Sequence, residues 1–256
     1  MRSSADGASA TLDGIVAADL ASQLGVPRVD LFASVSSTLD VAHTIAADAP
    51  SGTVIVADEQ TSGRGRHGRR WASPPGAGLW LTLIERPTDA RALDVLALRC
   101  GLFAAEALDA LAAGPIGVKW PNDLYVRGAK LAGVLIETRW RGTKPEWVAI
   151  GFGLNVASPG LEGAIGLVAG TTRLGALARL VPALRRAAAA SRHLTEDELT
   201  RWRARDLAVD RMCIEPVEGK IAGITAAGEL LVTRADGTTS RHRTGSLTFA
   251  EPLECS

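Results

Sequence analysis

Apolar positions along the chain fall into two rhythms, alternation and a helical repeat, punctuated by turns rich in glycine, proline and serine. After ~10 small polar residues that predict a disordered start, "GIVAADLASQLGVPRVD" predicts one short helix ending before Pro27. "VDLFASVSSTLDVAHTIAADAPSG" reads as a strand, a Ser/Thr turn and a helix, with Ser37 or Thr38 as cap and Asp40 in the first turn. "GTVIVADEQ" is a β-branched apolar run and predicts a buried strand. "GLWLTLIERP" predicts another, with Leu79, Leu81 and Leu83 on one face. The helical repeat from Asp89 to Gly114 predicts a long helix. "GPIGVKWPNDLYV" predicts a strand that stops at Pro121, and "AKLAGVLIETRW" and "EWVAIGFGLNV" predict two more strands joined by "RGTKP". Alanine-rich helical sequence runs from Arg173 to Leu207. Past Asp210 short strands alternate with turns at Glu218-Gly219, Ala227-Gly228 and Asp236-Gly237, the signature of a small β-barrel, so a boundary is placed near Ala208.

Composition narrows the function classes. The 256 residues suffice for one sizeable core, or for a main domain with a small companion. Basic and acidic residues balance at 28 each, leaving no global field to gather nucleic acid or membrane. Cys100, Cys213 and Cys255 are dispersed and show no zinc spacing, which fits a reducing, cytoplasmic setting. No signal-peptide core and no run of about 18 apolar residues is present, so no membrane association is expected.

Against that neutral background "GRGRHGRRW", Gly63 to Trp71, stands apart, with four arginines, one histidine and three glycines. Glycines let a backbone approach a ligand closely, and guanidinium groups grip carboxylate and phosphate bidentately. The loop suits an anionic ligand; a solvated basic turn and an RNA-binding segment of RGG type are open alternatives on composition alone. It lacks the P-loop pattern, and no helical pattern follows it as a dinucleotide fingerprint requires. A second constellation is "KWPNDLYVRGAKLAGVLIE", Lys119 to Glu137. Lys119 and Lys130 either face one pocket with Asn122 and Asp123, or sit on a hairpin facing solvent. The Ala132-Gly133 pair leaves room for something to approach the sheet.

At these motifs the sequence resembles the biotin protein ligases. "EQTSGRGRHGRRW" is similar to that family's biotin-and-adenylate loop, "KWPNDLYV" with "KLAGVLIE" to its second signature, and "GFGLNV" to its third; the resemblance covers Ser34 to Glu251. It implies an α+β fold: a mixed sheet with helices, like class II aminoacyl-tRNA synthetases, over residues 26–208, followed by an SH3-like β-barrel domain over 209–256. Residues 1–25 are then a tail and short helix. The implied enzyme is a biotin–carboxyl-carrier-protein ligase, which uses ATP and Mg²⁺ to make biotinyl-5′-AMP and passes biotin to a lysine of the carrier domain of an acyl-CoA carboxylase. It would be a monomer or weak homodimer of the type that does not bind DNA.

The resemblance also implies roles. Ser37, Thr38, Leu39, Gln60, Gly63, Arg64, Gly65, Arg66, Lys130 and Gly133 would form the biotin site. Arg66, Arg69, Trp71, Lys119, Asn122, Lys130 and Asn155 would meet ATP or the adenylate, with Trp71 on the adenine. Arg66, Lys119, Lys130 and Asp123 would carry the chemistry, Asp123 as the Mg²⁺ ligand. Two positions depart from the family pattern. Leu39 stands where asparagine is frequent, and His67 where arginine is frequent; His67 reads as solvent-facing. His43, His193 and His242 are expected to have no partners that suggest metal binding or catalysis, and Trp120 to be core. A lipoate or octanoate ligase shares the fold and is the nearest rival; an RNA-binding module is the rival from another class.

Overall fold

Strand pairing across residues 117–155 organises the molecule, and the computed structural model describes residues 11–190 and 192–253. The expected disordered start and Cys255 lie outside the described residues. A small hairpin, β1 (Thr11–Leu12) and β2 (Ile15–Val16), precedes helix α1 (Ala17–Leu24). Gly25 ends α1 in the left-handed conformation at φ 62°, two residues before Pro27. The hairpin was not foreseen. It is held by Asp13, which accepts from Arg173 Nε at 2.9 Å and from the backbone of Leu174 at 3.1 Å.

The main sheet contains β3 (Val29–Val35), β4 (Thr53–Gln60), β5 (Gly78–Glu85), β6 (Gly117–Lys119), β7 (Asp123–Val126), β8 (Ala129–Arg141) and β9 (Lys144–Asn155), in the order β3-β4-β5-β9-β8-β7-β6. Only β3 and β4 run parallel, joined through helix α2 (Thr38–Ile45); every other pairing is antiparallel. Leu79, Leu81 and Leu83 share a face, as their alternation predicts, and join the large core under α3 (Leu96–Leu108) and α4 (Arg173–Ala189). On the opposite face Ile55, Ile84 and Trp147 pack with Leu39 and Ala42 of α2 and with Ala46 just after it. Coverage on both sides explains why β4 and β5 read as continuous apolar runs.

Three expected elements resolve differently. The 89–114 helix opens as a 3₁₀ segment, Ala90–Val95, started by the Asp89 carboxylate accepting from Arg91 N at 3.0 Å, and closes as a 3₁₀ turn after α3. The 173–207 helix is two helices, α4 and α5 (Glu196–Arg203). Thr195 caps the second one, with Glu198 reaching back to the Thr195 backbone, so the Thr-x-x-Glu pattern restarts the helix. The strand before Pro121 stops as expected, at Lys119, but the residues after it were not foreseen as a strand: Asp123–Val126 turns back as β7 and pairs with β6.

Strands β10 (Met212–Glu215), β11 (Gly219–Ile224), β12 (Leu230–Thr233), β13 (Thr239–His242) and β14 (Thr248–Phe249) form a five-stranded antiparallel sheet in the order β13-β12-β11-β10-β14. It shares one apolar core with the main sheet. Trp120, buried as expected, donates its indole N–H to the carbonyl of Gly228 at 3.0 Å, and Leu194 N donates to Ala226 O at 2.9 Å. Between the sheets, Arg205 O and Leu207 N bond to the backbone of Val118 in β6. No described helix is long and apolar enough to cross a membrane.

The most buried ion pair ties α3 to α5. Arg99, 1% exposed, meets both oxygens of Glu198 at 2.7 and 3.0 Å. Burial works against the Glu198 carboxylate, yet the Arg99 and Thr195 hydrogen bonds win and hold it below its ordinary range. Arg99→Met strands that carboxylate and should cost about 3–5 kcal/mol in urea unfolding; adding Glu198→Leu should recover much of the loss.

Candidate active site

Cross-strand register places the second signature. Lys119 pairs with Asp123, Asp123 with Gly133, and Gly133 with Gly153, so the four lie in one row on one face of the sheet. Charge stands at one end of the row and the absence of side chains at the other. Trp71 occupies the space the glycines leave: a Cβ on Gly153 would meet its indole at 2.6 Å, and one on Gly133 at 3.3 Å. Two residues away on the same face of β9 Gly151 does the same for Leu39, at 3.0 Å. The "GFG" of β9 is therefore a pair of seats, one for a residue of α2 and one for a residue of the basic loop.

Above this floor lies a cavity of about 680 Å³ with two chemically distinct ends. At the neutral end Ser37 and Thr38 are buried at the start of α2. Ser37 Oγ caps the helix by accepting from Leu39 N at 3.3 Å. Gln60 Oε1 accepts from Thr38 N at 2.9 Å and from its hydroxyl at 3.2 Å, Thr82 donates to Thr38 Oγ1 at 2.9 Å, and Gln60 Nε2 donates to Ser73 at 2.8 Å. This chain of hydroxyl and amide groups fixes which lone pairs and protons face a ligand. Thr82 and Ser73 were not anticipated, although Thr82 is the one polar residue within the apolar core of β5.

The other end is cationic. Six Arg and Lys residues line the cavity against two carboxylates, Asp123 and Glu162, an excess of four positive charges in a chain whose net charge is zero. Lys130 Nζ lies 2.8 Å from Asp123 Oδ1 and 5.2 Å from the centre of the Trp71 ring. Arg66 reaches Asn122 Oδ1 at 3.4 Å. Burial lowers the pKa of Arg66; Asp123 opposes the shift and Arg69 adds to it. Burial also lowers Lys119, again against Asp123 and together with Lys130 and Arg69. Cations pressed into one partly dry place are held at an electrostatic cost that an incoming anion removes.

The basic loop is a small hairpin. Trp71 N donates to Gly63 O at 2.9 Å and Gly65 N to Arg69 O at 2.7 Å, with a 3₁₀ turn at Arg66–Gly68 as the tip. His67 is exposed there, as read from the sequence, in the left-handed region at φ 55°. Gly65 and Arg69 line the cavity. Arg64 lines it too, but its guanidinium turns to Asp40 and Glu137, each at 3.1 Å, and anchors the loop to α2 and β8. His43 joins this anchor, its Nε2 lying 2.5 Å from Glu137 and its ring standing edge-on to Trp147. His242 likewise meets Ser240, at 2.8 Å.

Two expected site residues lie away from the cavity lining. Gly63 is buried behind the loop, where a Cβ would strike Trp71 O at 2.4 Å. Asn155 donates to Ile165 O at 3.2 Å and to Lys130 O at 3.4 Å, so it holds the strand that carries Lys130. In the other direction, Tyr125 and the C-terminal residues Leu247 and Phe249 line the cavity without having been anticipated.

Comparison with known proteins gives a consistent picture. The sequence model of the Biotin/lipoate A/B protein ligase family matches residues 31–155. A biotin–acetyl-CoA-carboxylase ligase of Mycobacterium tuberculosis is 38% identical over 143 residues, 54% of this chain and 48% of that protein. The matched segments span less than half the length of the curated relatives they match most strongly. Among solved structures, the biotin protein ligase from Aquifex aeolicus in complex with biotin and ATP superposes with a TM-score of 0.67 at 24% identity, covering 87% of this chain and 98% of that one. The Leishmania major biotin protein ligase in complex with biotinyl-5-AMP gives 0.58 at 26% identity, covering 86% and 99%.

The seat of Trp71 is testable without any ligand. Gly153→Ala should push the indole off the sheet and shift tryptophan emission to the red. The same substitution in a Trp71→Phe background should leave emission unchanged; an equal shift in both would contradict the seat.

Proposed function

We propose that this chain, whose residues 31–155 form a biotin/lipoate A/B protein ligase family domain, activates biotin with ATP and transfers it to a lysine of a carboxylase carrier domain. The observation that carries this reading is the cavity's polarity: a fixed neutral hydrogen-bonding end and a cationic end, joined over a glycine floor. Biotin has the matching pattern of a ureido head, an apolar middle and a carboxylate. Ser37, Thr38 and Gln60 offer donors and acceptors to the ureido group, Leu39 and Leu135 line the middle, and Lys130 and Arg66 stand where the carboxylate would arrive. Trp71 offers its ring to the adenine.

In the first step a biotin carboxylate oxygen bonds to the α-phosphorus of ATP and pyrophosphate leaves with the breaking P–O bond. Carboxylate and triphosphate repel one another, by about 1 kcal/mol per charge pair at ~4 Å in water and by several times that in a protected site. Arg66, Lys119 and Lys130 offset that repulsion and hold the reacting atoms in line. In the second step the carrier lysine's neutral amine attacks the acyl carbon, and AMP leaves as the anhydride bond breaks. No side chain of the enzyme becomes covalently attached. Arg66 and the loop that bears it keep water from the mixed anhydride until the lysine arrives.

Magnesium enters as the companion of ATP's phosphates. Among the described residues no cluster of three or more His, Cys, Asp or Glu is suited to hold a metal, but one carboxylate suffices when phosphates supply the other ligands. Asp123 lines the cavity with one oxygen given to Lys130, which leaves the other for that role. Cys100 and Cys213, free among the described residues, suit a reducing, cytoplasmic setting.

The Thr82–Thr38–Gln60 chain favours biotin over lipoate, whose dithiolane has no polar edge to use those groups and would leave them unsatisfied. Convergence of the cations into a cavity, rather than along an open groove, disfavours the RNA-binding reading. Biotin-dependent exchange of pyrophosphate into ATP tests the proposal: exchange that responds to lipoate and ignores biotin would refute the substrate. Arg66→Gly is expected to leave adenylate synthesis largely intact but to let biotinyl-AMP escape and label bystander lysines, read by blotting a mixture with unrelated protein. An adenylate still tightly retained would remove Arg66 from the retention role.

A further inference from the structure

Lys119 is the cavity's most awkwardly placed cation. Its cross-strand partner Asp123 gives Oδ1 to Lys130, and Lys130 and Arg69 add charge of the same sign. Two aromatic faces lie beside it. The ammonium lies 4.8 Å from the ring centre of Phe249 and 5.8 Å from that of Tyr125. Tyr125 belongs to β7, whereas Phe249 belongs to the last strand of the C-terminal sheet. Phe249 is itself fixed. It pairs with Cys213 of β10, and the Arg211 guanidinium lies 5.0 Å from its ring while donating to the carbonyls of Glu251 and Pro252.

We propose that Phe249 is a positioning residue for the adenylation step: its ring holds the Lys119 ammonium over the cavity, which makes the C-terminal sheet a working part of the active site. An aromatic face attracts a cation through its quadrupole, most strongly where water is excluded. It does so without adding negative charge, so the lysine stays free to meet an anionic substrate. A carboxylate in the same place would compete with that substrate. The proposal rests on the ligase reading for its consequence, though not for the contact itself.

Site-specific replacement of Phe249 by mono-, di- and trifluorophenylalanine weakens the ring's negative face while nearly conserving its volume and burial. Asp123, Lys130, Arg69 and Tyr125 are left untouched. In the free protein, acylation of Lys119 at mildly alkaline pH, followed by mass spectrometry, should speed up by about three- to tenfold across the series as the protonated ammonium loses support. Biotin-dependent pyrophosphate exchange should fall in the same order. Phe249→Trp should keep activity near wild type, and Phe249→Leu should match the trifluoro variant. A flat labelling series overturns the contact. A graded labelling series with flat exchange overturns the positioning role. Should the unaltered protein show no biotin-dependent exchange, the ligase reading fails while the labelling series still decides whether Phe249 carries Lys119.

Discussion

The structure turns on a single row of paired residues across three hairpins. Lys119, Asp123, Gly133 and Gly153 are separated widely along the chain, yet antiparallel register places them side by side. Two consequences follow from that row. Its charged half gathers like-signed groups that are costly to hold together unless an anion joins them. Its bare half gives the indole of Trp71 a flat seat, so the basic loop lies down over the sheet instead of standing off it. A side chain at Gly153 would close the seat and lift the loop, and one at Gly133 would crowd it. The shape of the cavity and its electrostatics thus share one origin in strand pairing.

Much of this was legible in the sequence, and the reason differs from part to part. Strands β3, β4, β5, β8 and β9 are written in local alternation or in apolar runs, and the arginine-rich loop is visible against a neutral chain. The break between α4 and α5 was also written locally, in the Thr195 and Glu198 cap, but a helical repeat on either side masks it. Other features have no local signal. Nothing near Phe249 says that it will meet Lys119, because that contact requires two sheets to dock. Thr82 becomes a site residue only because Thr38, itself held by Gln60, meets it from a separate element. The outward turn of Arg64 depends on Asp40 and Glu137, which a motif reading does not weigh.

The C-terminal sheet is built into the molecule rather than appended to it. Its apolar residues join the main core, Trp120 reaches across to the Gly228 carbonyl, and the segment before β10 runs along β6. Continuity of this kind lets a residue on one sheet fix the position of a charge on the other. A flexible linker would not do so, because the rotational freedom it permits exceeds the short reach of an aromatic–cation contact. The change in sequence pattern near Ala208 therefore reflects a change of secondary structure more than a gap in packing.

The lone parallel pairing in the main sheet has its own geometric outcome. Because β3 and β4 point the same way, with α2 as the crossover between them, both strands release their chains at the same edge. Val35 stands beside Gln60 there, and the backbones of Ser36 and Ser62 are hydrogen-bonded to one another at 2.9 Å. Had the pair been antiparallel like the remainder of the sheet, the helix start and the arginine loop would emerge from opposite rims, a full strand length apart. One parallel step, in a sheet otherwise antiparallel, is what turns two separate stretches of chain into the two walls of a single pocket.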